Sequence, residues 1–189
     1  YYLTFPPAGS QADSRSRPTD RPPLAAHGPA PEVIPVATEV PRMNTVRLSD
    51  LDSLFSPAAV KLPVGDALEA TNLAMNYYEL APGEQFGVGY HHHPSQEEVF
   101  VVLEGTATFE TEDGDVTVGP QEAGRFAPGE WQLGRNDGEE RIRALAIGAP
   151  KESPDTEVLR ACPECGERTD QTFEITDEKD ALLSVCVEC

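Results

Sequence analysis

Lysine is scarce in this chain of 189 residues, which has only Lys61, Lys151 and Lys179. Lysine and arginine together number 14 against 33 acidic side chains, a formal charge of −19. No stretch gathers the basic residues into a patch. A surface of that sign repels nucleic-acid phosphates and anionic lipid, so neither nucleic acid nor membrane is an expected partner. Long hydrophobic runs are also missing, and none approaches the ~20 residues of a membrane-spanning helix. Residues 1–9 have no basic start and no apolar core, so they do not read as a secretory signal. Cysteine is absent before Cys162. That rules out a disulfide framework for the body of the chain and points to a reducing, cytoplasmic compartment.

The acidic residues are dispersed rather than collected in a tail. They read as the solvated coat of a folded protein, one adapted to salt that screens its self-repulsion. The length suits one main domain with additions. Residues 1–42 differ from the rest, holding nine of the 18 prolines and showing no periodicity. Such a segment buries too little apolar surface to offset its ordering entropy, so disorder is expected there. Met43-Asn44-Thr45 looks like a natural start, and the functional chain is expected to begin at Met43. His27 has no assigned role.

Residues 43–69 read as a lead-in, with a short helix over Ser49–Phe55 capped by Ser49 or Asp50. From 70 to 150 the signals are those of strands. Thr71–Leu80 is one. Val99–Leu103 is a buried strand, and Thr106–Glu112 alternates polar with apolar residues. Glu112-Asp113-Gly114-Asp115 is a hairpin turn, Val116–Val118 returns, and Ile142–Ile147 closes the series. Short, evenly spaced strands divided by turns predict an all-β antiparallel barrel or jelly roll.

The chemistry concentrates in Tyr90–Gly105, YHHHPSQEEVFVVLEG. On an extended strand His91 and His93 project from one face and His92 from the other. Glu98 follows a short turn. Two imidazoles and a carboxylate form a ligand set for a divalent transition metal. A surface loop rich in histidine is the competing reading. Glu97 reads as a solvent-facing neighbour. Trp131, Tyr77, Tyr78 and Phe100 are candidates for pocket walls or for core packing. Arg141 and Arg143 could meet an anionic substrate or form a solvated outer face.

The spacing of His91, His93, Glu98 and Gly105 resembles the first motif of the cupin superfamily, and residues 70–150 carry the resemblance. It implies a cupin-type jelly-roll barrel that binds metal through these two histidines and the glutamate, and a homodimer. Glu79-Leu80-Ala81-Pro82-Gly83-Glu84 is similar to the turn that precedes this motif, although Gln85 stands where the family has glycine. The second motif resembles Pro128-Gly129 through Asn136, with Gln132 where the family has histidine. Gln132 could offer its carbonyl oxygen to the metal or orient a bound water. Such a set suits iron, with manganese, nickel, cobalt and zinc as alternatives. The alternatives to catalysis are a metal that only braces the barrel and an empty site. Overall the chain resembles salt-adapted archaeal cupin-domain proteins.

Residues 151–160 read as a polar linker and 161–189 as a small module. Cys162, Cys165, Cys186 and Cys189 form two CxxC pairs separated by twenty residues, within the range of zinc sites. Residues 172–176 and 181–185 read as hairpin strands between them, so the module looks like a zinc ribbon that owes much of its folding to the metal. A thioredoxin-like redox pair is disfavoured, because no βαβ pattern surrounds either CxxC. The ribbon is acidic, so a protein partner or a bracing role is expected. Three functions remain open at this stage. The chain is a metal-dependent enzyme on a small molecule (a dioxygenase or an isomerase), a non-catalytic ligand sensor or store, or a scaffold whose ribbon contacts a protein.

Overall fold

A computed structural model describes residues 43–176 and 181–189. The expected disorder of residues 1–42 lies outside the described residues.

The described chain is almost entirely β. Its strands are β1 (Val60–Leu62), β2 (Ala74–Leu80), β3 (Tyr90–His92), β4 (Glu97–Glu104), β5 (Ala107–Thr111), β6 (Gly114–Val118), β7 (Glu122–Phe126), β8 (Gln132–Arg135), β9 (Ile142–Ala149), β10 (Glu157–Ala161), β11 (Arg168–Ile175) and β12 (Leu182–Cys186). One α-helical turn, α1 (Val64–Ala67), and one 3-10 turn (Leu48–Asp50) are the helical elements among the described residues. The expected helix over Ser49–Phe55 is therefore only that first turn. Neither Ser49 nor Asp50 caps it, because Arg47 stands at its N-cap without a side-chain bond.

The strands form two sheets, in the orders β1-β2-β9-β4-β7 and β12-β11-β10-β3-β8-β5-β6, and every pairing is antiparallel. The sheets pack face to face as a jelly roll. Strand β9 shows why: Ile142, Ala144, Ala146 and Gly148 are buried while the residues between them are not. That period of two turns one face of the strand to the core. Phe100 from one sheet meets Phe109 from the other with ring centroids 4.8 Å apart, and Phe86 stacks on Phe109 at 5.9 Å. Leu80, Val102 and Ile142 complete the fully buried centre.

Two polar details fix the ends of the barrel. Gly105 adopts φ +75°, and a Cβ there would lie 2.7 Å from the Arg141 carbonyl oxygen. Only glycine turns the chain so tightly after β4. Asn136 is buried, and its amide donates to the carbonyls of Leu80 and Glu140 at 3.0 and 2.8 Å. It thereby joins the end of β8 to the end of β2.

One boundary differs from the sequence reading. Residues 151–160 are not a free linker, because Glu157–Ala161 form β10, which pairs with β3 through Glu157↔His92, Val158↔His91 and Leu159↔Tyr90. The hairpin of β11 and β12 extends the same sheet. The β10 run of Glu, Val, Leu, Arg and Ala is short and half polar, and its partner strand β3 lies more than sixty residues away.

The aromatic contact across the sheets generates a prediction. Phe109→Ala removes the ring packed against both Phe86 and Phe100, and is expected to cost about 3–5 kcal/mol of stability by denaturant titration.

Candidate metal centre

The turn Pro94–Gln96 carries the chain from one sheet to the other, so His91 and His93 approach Glu98 across the barrel interior. Gln96 fixes this turn. It is buried, and its amide donates to the carbonyls of Pro150 and Lys151 at 2.6 and 3.3 Å. Gly148 leaves room for it, since a Cβ there would come 2.6 Å from the Gln96 amide carbon. One donor atom from each of His91, His93 and Glu98 lies within 4.8 Å of the others. The His93 Nε2 is 3.6 Å from Glu98 Oε2, and both side chains are 17% exposed.

Hydrogen bonds on the far side of each ring decide which nitrogen faces the centre. The His91 Nδ1 lies 2.8 Å from the Gly89 carbonyl oxygen. A carbonyl only accepts, so Nδ1 carries the proton and Nε2 presents a bare lone pair. The His93 Nδ1 lies 2.8 Å from Thr156 Oγ1 and 3.1 Å from Ser153 Oγ. Thr156 Oγ1 donates its proton to the Ser153 carbonyl at 3.0 Å, so it accepts from His93 Nδ1. With its proton on Nδ1, the second ring leaves Nε2 bare as well. Two imidazole lone pairs and a carboxylate converge with no proton of their own between them, and the one donor that reaches them is the Gln132 amide; this is the donor set of a cation site.

Gln132 stands beside this set through the register His91↔Gln132. It is 2% exposed. Its Nε2 donates to Glu98 Oε2 at 3.0 Å and to His91 Nε2 at 3.0 Å. Its Oε1 is buried without a hydrogen-bond partner. Turned over about its last torsion, the amide would direct that oxygen to the same point, as a fourth neutral ligand.

A cavity of about 760 Å³ opens onto these residues. Tyr78, Phe86 and Phe100 give it apolar walls, and Lys61, Lys151 and Arg160 are charged residues lining it. Burial pushes the Lys61 ammonium below its ordinary value, opposed in part by the charge of Glu98. Burial also raises the Tyr78 phenol well above the usual range.

Several candidates face elsewhere. Trp131 stacks on Tyr90 and packs against His92, with centroids 5.3 and 4.4 Å away, on the opposite face of the sheet. The Tyr77 hydroxyl donates to Glu79. Glu97 accepts from exposed Arg125 at 2.8 Å. Arg141 pairs with Glu79 and Arg143 with Glu104, as outer-face residues. Thr156, Ser153, Gly89, Gln96 and Lys61 carried no signal in the sequence, because their contacts come from distant strands.

The four cysteines form a second cluster. Sγ atoms of Cys162 and Cys189 are 3.7 Å apart, as are those of Cys165 and Cys186. A tetrahedral ion with metal–sulfur bonds of about 2.3 Å separates its sulfurs by about 3.8 Å. The cluster could therefore hold such an ion. Thr169 Oγ1 lies 3.1 Å from Cys186 Sγ, and its hydrogen bond draws that thiol down to about 6.

Thr156→Val keeps the shape but removes the acceptor from His93 Nδ1. It is expected to weaken metal affinity at the barrel site about 10- to 100-fold in chelator competition, with the melting temperature nearly unchanged. A Cβ at Gly89 would lie 2.8 Å from the Leu159 carbonyl oxygen and displace β10, so Gly89→Ala is expected to weaken the same affinity. A third expectation concerns pH. Burial holds the His91 imidazole below its ordinary value of 6.5. Below that pH the unfolded chain takes up a proton that the folded one refuses. Stability of the metal-free protein should fall as pH drops through 6.5 toward the folded value, and His91→Gln should flatten the trend in thermal melts.

Residues 76–148 match the protein-family model described as cupin domain. No curated protein matches the chain. Among solved structures, a sugar phosphate isomerase from a cupin superfamily of Silicibacter pomeroyi is similar, with 16% identity and a TM-score of 0.56 over 77% of this chain and 94% of that one. The polyketide cyclase RemF of Streptomyces resistomycificus is 21% identical, with a TM-score of 0.54 over 65% of this chain and 89% of that one. An uncharacterized Klebsiella pneumoniae protein with a double-stranded β-helix domain is 16% identical, with a TM-score of 0.50 over 60% of this chain and 89% of that one. At these identities the likeness shows the fold alone. The strand order, the spacing of His91, His93, Glu98 and Gly105 and the match over residues 76–148 agree on a cupin-type jelly-roll fold.

Proposed function

We propose that this protein uses a divalent transition metal at His91, His93 and Glu98 to act on a small molecule held in the adjoining cavity. The observation that carries the reading is the pair of bare Nε2 lone pairs aimed at a carboxylate, with the far nitrogens committed to Gly89 and Thr156. A bound ion would supply Lewis-acid or redox chemistry there, and iron, manganese, nickel, cobalt and zinc all accept such ligands. Three protein ligands leave positions for substrate or water. Gln132 is either a fourth ligand through its oxygen or the donor that orients Glu98. A dioxygenase and an isomerase are the reaction classes that such a centre serves. The printed activities of the structural neighbours remain statements about those proteins.

For the cysteine cluster we propose zinc, because four sulfurs at tetrahedral spacing suit a closed structural site. A second reading draws on strand β12, an edge of its sheet, where Leu183 and Val185 are 50 and 49% exposed and Val187, just past its end, is 61% exposed. An apolar stripe on an open edge favours contact with a protein, another copy of the chain included. Under that reading the barrel is a ligand-sensing scaffold.

Metal analysis of protein purified without chelators separates the two centres. The wild type is expected to hold one metal at each site. His91→Ala should keep the zinc and lose the barrel metal, whereas Cys165→Ser should release the zinc. Both metals retained in His91→Ala would contradict the barrel site. Loss of the barrel metal with ligand binding unchanged would favour the scaffold.

A further inference from the structure

The charges around the cavity are the reverse of those on the rest of the molecule. The chain carries 33 acidic residues and three lysines, yet two of those lysines line the cavity together with Arg160. Glu98 is the one carboxylate in the lining among the described residues. Once Glu98 is committed to a cation, every formal side-chain charge left facing the cavity is positive.

These three cations are not equivalent. The Lys151 ammonium is already neutralised, 2.8 Å from Asp66 and 2.9 Å from the Ala70 carbonyl oxygen. Lys61 has no carboxylate partner among the described residues. Its Nζ sits 5.7 Å from the centre of the Tyr78 ring, on a half-buried strand, where water compensates it poorly. Arg160 is likewise without an ion pair among the described residues. Its stem packs beside Gly89, where a Cβ would lie 2.7 Å from Arg160 Cγ. Lys61, half-buried, and Arg160, at the exposed rim, are thus two cations at one cavity with no ion pair among the described residues. A desolvated ammonium with no partner is costly unless a ligand supplies the counter-charge. A cavity lined by one sign of charge also concentrates ligands of the other.

We propose that the cavity takes a small molecule bearing an anionic group, a phosphate or a carboxylate, which Lys61 and Arg160 bind while its remaining part reaches His91, His93 and Glu98. The inference rests on the reading of this cavity as a metal-dependent small-molecule site and adds the class of its ligand. The volume of about 760 Å³ is within the range of metabolite sites. Lys61 lies on β1, outside the matched cupin domain, so the anion subsite is an addition from the lead-in of this chain. The molecule's own acidity then becomes a filter. Anions are repelled by the surface at large and held only where these two side chains are exposed to the cavity.

The test is calorimetric titration of manganese-loaded protein with glycerol 3-phosphate and with glycerate, using glycerol as the neutral control. Metal content is measured on the same samples. At least one anion is expected to bind saturably and glycerol not at all, and the tighter anion names the group. Lys61→Met and Arg160→Gln should each lower that affinity about tenfold or more, as loss of a charge-assisted contact does, with metal content and melting temperature unchanged. Lys61→Arg should restore most of the loss. The proposal is overturned if neither anion saturates, if glycerol binds as well as they do, or if both variants bind like the wild type. Metal present with indifferent variants defeats this inference alone. An anion bound through Lys61 by protein that holds no barrel metal would defeat the metal reading and leave this one standing.

Discussion

The pairing of β10 with β3 is the constraint on which the site depends. It brings residues from beyond the matched stretch 76–148 against β3, which carries His91 and leads into His93. The Thr156 hydroxyl, at the foot of β10, accepts a hydrogen bond from His93 Nδ1, and the carbonyl of Gly89, pressed against Leu159, accepts one from His91 Nδ1. With the outer nitrogens occupied, the inner ones have only lone pairs to offer. The carboxylate of Glu98 arrives from the opposite sheet through a turn that Gln96 holds. The Gln132 amide serves two of these acceptors, and a cation would serve all three.

The same strand leads directly into Cys162, so the cysteine cluster and the barrel site are two ends of one short segment. Ring orientation at His93, the wall formed by Val158 and Arg160, and the first knuckle of the cluster all follow from where β10 lies. The C-terminal hairpin is thus part of the sheet that builds the site rather than a tethered appendage.

Much of this was legible in the sequence. The spacing of His91, His93 and Glu98 marked the candidate ligands, and the alternation in Thr106–Glu112 and Ile142–Ile147 marked the barrel. What sequence could not supply is whatever depends on long-range register. Thr156 and Ser153 looked like linker residues because their partner lies sixty residues away. Lys61 looked like one lysine among few, since nothing local shows that it faces a cavity. Parity separates the aromatic candidates. Trp131 adjoins Gln132, and Tyr77 adjoins Tyr78, so in each pair only the second side chain turns inward. Gln132 was marked as a departure from the histidine pattern. Its hydrogen bonds to Glu98 and His91 show that an amide at this position still engages both side chains.

The central claim concerns the protons on two rings, and long-range nitrogen–proton NMR of the metal-free protein at neutral pH reads them directly. The account predicts that His91 and His93 both carry the proton on Nδ1, with Nε2 at the chemical shift of a bare imidazole nitrogen, and that these Nε2 signals move when metal is added. Protons found on Nε2 of both rings, with Nδ1 bare, would contradict it.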